Sequence, residues 1–468
     1  MEMGDMGDVA GRLGAAGVRG VALTWVDNAG LTRVKTVPVG RLADAARRGV
    51  GMSPVFDVYL VDDSMTSSPH VGGPDGDLRL RPDLDRLTVL AGQPGWAWAP
   101  VDRYRQDGAE YPACQRLFAR RQVARAREEH GVELRMGFET EWVVTRPPRE
   151  PGGEPGGEPG AGGEAAEAAD RELRYPCAGP AYGMTRLVEL SGYLSALMEA
   201  ATAQDLGVLQ LHPEYAPGQF EISVAPADPV GAADLAVLVR ETVRAVSVRH
   251  GLAASFAPVV DPAGVGSGRH LHLSLWRGDR NLCGGGTGPH GMTGECEAFL
   301  AGVLRELPAL LALGAPSPAS YLRLRPSHWA GVFGCWGLEN REAALRFVAG
   351  EPDRSDAANA EVKCFDGAAN PYLVVGAVIA AGLAGLEAGL SLPPPVSGDP
   401  AAGPEEGRPP RLPESLAEAL RHFEDSAVLR EALGEPLFGA VAAVRRAEIE
   451  LFADATPREI AAATRARY

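Results

Sequence analysis

The chain has 468 residues, 45% hydrophobic and 23% charged, enough for a sizeable buried core in one large domain or two. Its net charge of −16 argues against nucleic acid or an anionic membrane as the main partner. Six cysteines, Cys114, Cys177, Cys283, Cys296, Cys335 and Cys364, lack any CxxC pair, the usage of free thiols in a reducing compartment rather than of a disulfide framework or zinc site.

The opening segment, MEMGDMGDVAGRL, is acidic and has neither the basic start nor the apolar middle of a signal peptide, so a cytoplasmic location is expected. Residues 21–38 predict a hairpin, two β-rich runs flanking Asp27-Asn28-Ala29-Gly30. The stretch 51–112 is rich in Pro, Gly and Asp and predicts long loops; residues 1–110 read as a small α+β domain. A helix over 115–130, ended by Gly131, opens a larger unit, 111–468. Residues 146–172 are low-complexity and predict a flexible, solvated insertion, and 393–412 has a similar character. Helical patterns follow near 185–206, 231–250, 294–313, 371–389, 413–423 and 435–453. The apolar run 373–386 is too short to span a bilayer and reads as a tightly packed internal helix. Thr456-Pro457-Arg458-Glu459 has the form of a capping box with Pro at the first helical position, and starts a last helix.

Four short runs carry the chemistry. On a strand, side chains two apart share a face. In GFETEWVV, Glu139 and Glu141 lie opposite Phe138, Trp142 and Val144. In PEYAPGQFEISV, Glu221 and Ser223 lie opposite Phe220, Ile222 and Val224, with Glu214 across a Pro217-Gly218 turn. In GSGRHLHLSLW, His270, His272 and Ser274 lie opposite Leu271, Leu273 and Leu275. In AEVKCFD, Glu361 and Lys363 lie opposite Val362 and Cys364. One such strand is most simply a solvated face. Four with acids or imidazoles on the polar face suggest a shared surface whose carboxylates repel and need cations. Five glutamates with one or two histidines and no cysteine suit Mg²⁺ or Mn²⁺ better than zinc. Spacing alone does not bring the four strands together.

In order along the chain, GFETEW, PEYAPGQFEI, GSGRHLHLSLW, YLRLRPSHWAGVFGCWGLENREAALR, EVKCFDGAANPYL and LPESLAEALRHFEDSAVLREALG resemble the glutamine synthetase superfamily. The resemblance implies an α+β fold: a β-grasp N-terminal domain, then a catalytic domain with a curved antiparallel sheet and surrounding helices. It implies a homo-oligomer, a dodecamer of two hexameric rings, with each site between neighbouring subunits. Glu141, Glu214 and Glu221 match ligands of the metal on the amino-acid side, and Glu139, His270 and Glu361 those of the metal at the ATP phosphates, two or three Mg²⁺ or Mn²⁺ in all. His272 and Ser274 match nucleotide-side positions. Arg341 and Arg346 match arginines at the transferring phosphoryl group, with Arg346 also on the nucleotide side. Arg323 and Gly266 match positions that hold glutamate. The implied reaction makes γ-glutamyl phosphate from glutamate and ATP, then an amide; metals and arginines offset the charge of phosphoryl transfer.

The departures bear on the amine. Trp329, in RLRPSHWA, stands where the family's flap carries a glutamate that helps deprotonate ammonium. Tryptophan cannot accept a proton, but its face packs on an alkyl chain or attracts an alkylammonium. Glu339 is a candidate substitute acid. Phe56-Asp57-Val58-Tyr59 keeps only the Asp of the family's ammonium loop, making Asp57 a candidate catalytic residue, with Asp62 and Asp63 as alternatives. Lys363 replaces an arginine at the γ-carboxylate, keeping charge but losing the bidentate fork. Val265 and Asn359 also depart from the pattern, and 390–412 has no tyrosine for adenylylation. The resulting expectation is an ATP-dependent ligase of glutamate and an amine, with a small monoamine such as ethanolamine favoured through Trp329 and a polyamine as the other candidate. The competing expectations are an ammonia-using glutamine synthetase and a non-catalytic homologue.

Overall fold

The structure is a computed structural model that describes residues 3–147, 173–350 and 354–468. Most of the predicted insertion, from residue 148 to 172, lies outside the described residues.

The N-terminal sheet contains β1 (Gly20–Val26), β2 (Thr32–Pro38), β3 (Val50–Met52), β4 (Leu78–Pro82), β5 (Thr88–Val89) and β6 (Trp96–Tyr104). Its order is β2-β1-β6-β4-β3, with β5 paired to β6. β1 runs antiparallel to β2 and parallel to β6. The hairpin expected over 21–38 is β1 and β2. The long loops expected over 51–112 are interrupted by strands, because LRLRP and WAWAPVDRY bury alternate or successive residues while Pro, Gly and Asp gather in the connections.

The hairpin tip is pressed into the rest of the molecule. Gly30 has φ +82°, and a Cβ there would fall 1.8 Å from the Ala368 carbonyl oxygen, so only glycine fits. Asn370 donates to the carbonyls of Val26 and Asp27 at 3.0 and 3.1 Å.

The second sheet contains β7 (Glu133–Thr145), β8 (Val208–Pro213), β9 (Gln219–Val224), β10 (Ala253–Ser255), β11 (Leu271–Arg277), β12 (Arg280–Asn281), β13 (Phe333–Leu338), β14 (Ala343–Val348) and β15 (Asn359–Val362). Its order is β13-β14-β15-β11-β7-β9-β8, with β10 on β7 and β12 on β11. Pairing is antiparallel except between β13 and β14, which are parallel, so the sheet is mixed. Its apolar side chains join one core with helices Gln115–His130, Pro229–Arg249, Gly294–Gly314 and Pro371–Glu387. The last is buried along almost its whole length, as its Gly- and Ala-rich sequence predicts. No described helix is long and apolar enough to cross a membrane.

Helix Gln115–His130 ends on Gly131 in the left-handed conformation, and Thr456 with Glu459 forms a complete capping box. Two boundaries differ from expectation. The helix expected over 185–206 is two, Met184–Glu189 and Ser191–Ala203, meeting at Leu190. The helix expected from 435 begins at Ala427 and runs to Leu451, with a kink at Gly434, where φ +71° lets the chain turn before Pro436. All six cysteines are buried and free.

Buried ion pairs tie the elements together. Arg116 bonds Asp234, Asp83 and Asp102, joining the two sheets' supporting elements. Arg445 donates to the Asn28 carbonyl at 2.7 Å and approaches Glu448 at 3.4 Å. The second oxygen of Glu448, Oε1, is buried without a partner, and burial pushes this carboxyl up to about 7 from 4.5. The folded chain therefore keeps the proton to higher pH than the unfolded chain, and this group's contribution to stability falls as pH rises between those values. Glu448→Gln is expected to raise the thermal midpoint more at pH 8 than at pH 5, measured by calorimetry in matched buffers; an equal shift at both would reject the assignment.

Candidate active site

Strand register assembles the site. β7 is central. Its partner β9 sets Glu221 opposite Glu141, and its partner β11 sets Leu271 opposite Phe138. β15 then sets Glu361 opposite His272, and β14 sets Arg346 opposite Glu361. The apolar partners of these residues, among them Phe138, Trp142, Phe220, Leu271 and Val362, are buried in the core behind. The ionisable face of each strand is thereby turned to one common side.

There, His270 Nδ1 lies 3.2 Å from Glu139 and 3.1 Å from Glu361, and its Nε2 lies 3.9 Å from Glu141. His272 Nε2 is 3.1 Å from Glu139, while its Nδ1 meets the Asn359 side-chain oxygen at 2.9 Å. Lys363 and Arg346 each approach Glu361 at 3.1 Å. Glu141 accepts from Gln219 at 2.9 Å, and the same Gln219 amide reaches the Gly266 carbonyl and the Ser267 hydroxyl. Beyond it, His212 lies 3.2 Å from Glu221 and 3.5 Å from Glu214.

The charges are strongly coupled. Burial raises the Glu139 carboxyl, but its hydrogen bonds with His270 and His272 outweigh that and hold it well below the usual range. The His212 imidazole is pushed up to about 9, first by its bond to Glu221 and against the effect of burial. Burial lowers His272 while Glu139 and Glu361 raise it, leaving it at about 9. Glu214 is raised by burial and then by the neighbouring charge of Glu221.

Of three sets of donors among the described residues whose ligand atoms lie within 4.8 Å of one another, two are on this face, Glu139, His272 and Glu361, and His212, Glu214 and Glu221; the third, Glu129, His130 and Glu387, lies at the end of helix Gln115–His130. Carboxylates and imidazoles without thiolates fit Mg²⁺ or Mn²⁺. His270 and Glu141 border the two sets, so all six residues assigned to metal in the sequence come together. His212 was missed there. It was legible: His212-Pro213-Glu214 on a strand puts His212 and Glu214 on one side.

The remaining candidates divide. Arg323 is buried between His270, at 3.2 Å, and the Lys363 carbonyl, at 3.0 Å, and its Nη1 has no partner. Gly266 lies against it; a Cβ there would come within 2.5 Å of both Arg323 Cγ and the Pro258 carbonyl oxygen. Arg346 sits between Glu361 and Glu339. Arg341 is exposed on the turn between β13 and β14. Ser274 is buried farther along β11 and accepts from Trp276. Trp329 is exposed on the segment that follows Arg323.

Asp57 lies apart from this face within the chain. It is 1% exposed, and its carboxylate is engaged by Arg103 at 2.7 Å, Tyr111 at 2.9 Å and Gln115. Within one chain it is enclosed by side chains of β6, of the segment that follows and of helix Gln115–His130, apart from the acid–imidazole face. Asp63 is paired with Arg33 and Arg467.

The glutamine synthetase catalytic-domain family model matches residues 112–462. The chain belongs to the glutamine synthetase family. It is 54% identical to a γ-glutamylpolyamine synthetase of Streptomyces coelicolor, covering 98% of this chain and 96% of that one. It is 28% identical to a glutamine synthetase of Mycolicibacterium smegmatis, with 95% of each covered. Among solved structures, a novel glutamine synthase homolog superposes with a TM-score of 0.82 at 31% identity, covering 96% of this chain and 99% of that one. The ADP complex of GmaS superposes at 0.79 and 27%, covering 96% and 97%. The family match encloses every candidate residue except Asp57, Asp62 and Asp63.

If the acid face is a cation site, millimolar Mn²⁺ should raise the thermal midpoint of the protein by several degrees. The double variant Glu139→Ala, Glu361→Ala should lose most of that gain, and an undiminished gain would reject these ligands.

Proposed function

We propose that this glutamine synthetase family member is an ATP-dependent ligase that joins the γ-carboxylate of glutamate to a primary amine of the polyamine class, through γ-glutamyl phosphate. The observation that carries the amine class is the 54% identity, over nearly full length, to a protein named for polyamine γ-glutamylation. The chemistry is supported by the acid–imidazole face and the buried arginine beside it.

In the reaction, a γ-carboxylate oxygen of glutamate attacks the γ-phosphorus of ATP and ADP leaves; the amine nitrogen then attacks the activated carbonyl and phosphate leaves. Arg323, buried with an unpartnered Nη1, is suited to hold a glutamate carboxylate. Lys363, beside Glu361, is suited to the γ-carboxylate or the phosphate that replaces it. Arg346, and Arg341 on the adjoining turn, supply positive charge toward the transferring phosphoryl group. His272 and Ser274 lie on β11 toward its nucleotide side. Mg²⁺ or Mn²⁺ bound by Glu139, His270 and Glu361, and by Glu141, Glu214 and Glu221, would offset phosphate charge and polarise the reacting oxygens. The site is proposed to be completed by a neighbouring subunit in a dodecamer of two six-membered rings, with 1–110 as the β-grasp domain and 111–468 as the catalytic domain, in the cytoplasm.

The ethanolamine-sized preference rested on Trp329 narrowing a pocket. Within the chain the indole is 55% exposed, and the amine class follows the relative named for polyamine γ-glutamylation. An exposed indole face suits a methylene chain flanked by ammonium groups.

With glutamate, MgATP and an amine panel, phosphate release is expected to be highest with polyamines; turnover with ammonium alone would reject the reading. Trp329→Glu is expected to raise the ratio of ammonium to alkylamine turnover about tenfold, and an unchanged ratio would remove Trp329 from amine selection.

A further inference from the structure

The segment after Arg323 is held in a conformation its sequence does not favour. Ser327 and Trp329 both have positive φ, +58° and +54°. For a residue as bulky as tryptophan this is a strained backbone that its surroundings must enforce. The segment starts at the buried Arg323 and returns to the site at Gly331, where a Cβ would lie 2.9 Å from Lys363 Cβ. It is a flap anchored at both ends on residues assigned to glutamate.

Two carboxylates enforce its shape. Glu342 accepts from the Trp329 amide at 2.8 Å, and Asp399 accepts from the Ser327 hydroxyl at 2.7 Å. Asn340 fixes their relative position: it receives the Glu342 amide and donates to the carbonyls of Val396 and Gly398. Glu342 is only 6% exposed, and its second oxygen, Oε2, is buried with no hydrogen-bond partner. Among the described residues, Arg325 bonds the Pro262 carbonyl while Arg346 and Lys363 pair with other glutamates, and the one basic group that acts on Glu342 is the His328 imidazole on the flap itself. A desolvated carboxylate with one orphaned oxygen and a second acid behind it is an unmet demand for a cationic donor.

We propose that Glu342, backed by Asp399, receives the distal, non-reacting ammonium of a diamine or polyamine, with the Trp329 indole lying along the intervening methylenes. This rests on the polyamine reading above and assigns it a specificity residue. An alkylammonium supplies what the seat lacks: three N–H donors and one positive charge on a chain long enough to leave the other nitrogen at the γ-carboxylate. A monoamine of equal length can lie along the same indole but leaves Oε2 unpaired, and so gains nothing from Glu342. Discrimination of this kind, through a buried polar group that the wrong substrate fails to satisfy, exceeds what apolar fit alone provides.

The test compares 1,4-diaminobutane with n-butylamine, which differ by the second ammonium. In Glu342→Gln the amide oxygen still accepts from Trp329, so the flap stays seated while the charge is lost. The expected result is a fall of tenfold or more in the ratio of kcat/KM for diamine over monoamine, carried by KM for the diamine. Glu342→Asp, which restores the charge, is expected to recover part of that ratio, and Asp399→Asn to lower it less. Butylamine turnover by the same variant reports an intact site. Wild-type turnover of both amines with an unchanged ratio in Glu342→Gln would overturn the seat and leave the ligase reading standing. Wild-type turnover with ammonium alone would overturn both.

Discussion

Five carboxylates facing one another across a single sheet surface are the constraint around which this protein is arranged. Like charges at such separations repel, so the arrangement persists only with compensation. The chain supplies part of it: His270 and His272 bridge Glu139 and Glu361, His212 bridges Glu214 and Glu221, and Lys363 and Arg346 flank Glu361. The same demand suits the face to divalent cations and polyphosphate. Stability and chemistry draw on one electrostatic feature.

The apolar half of the design holds that feature open. Each strand that exposes an acid or imidazole buries its alternate residues in the core it shares with the helices behind, among which Pro371–Glu387 is buried along almost its whole length. A one-residue slip in any of these pairings would turn the acids into the core, so the hydrophobic pattern fixes the site's geometry as firmly as any hydrogen bond within it. The hairpin tip at Gly30, clasped by Asn370 and seated on Ala368, joins the N-terminal sheet to the same core. This junction also explains Asp57. Its carboxylate is ringed by Arg103, Tyr111 and Gln115 at the foot of the N-terminal sheet.

The proposed amine-selecting segment is the flap that follows Arg323, where Trp329 stands at the position of the family's acidic residue. The carboxylates beside that segment are Glu342 and Asp399, which act on the flap from beneath it. An acid has thus been removed from the flap itself while others support its backbone. On the proposed polyamine reading, negative charge is placed where a second ammonium of a longer substrate would lie.

The sequence by itself determined the elements and their faces: the hairpin before residue 38, the helix closed by Gly131, the capping box at Thr456, and the alternation that sets Glu139, Glu141, Glu221, His270 and Glu361 away from the core. These are local consequences of strand and helix periodicity and of turn and capping chemistry. Only the tertiary structure decided which faces meet. Pairing of β9, β7, β11 and β15 is a relation between residues tens to hundreds of positions apart, and no local pattern encodes it. The same reason hid the enclosure of Asp57 by Arg103 and the seat of Trp329 on Glu342. Each is a contact across a long loop of chain, established when the core closes and not before.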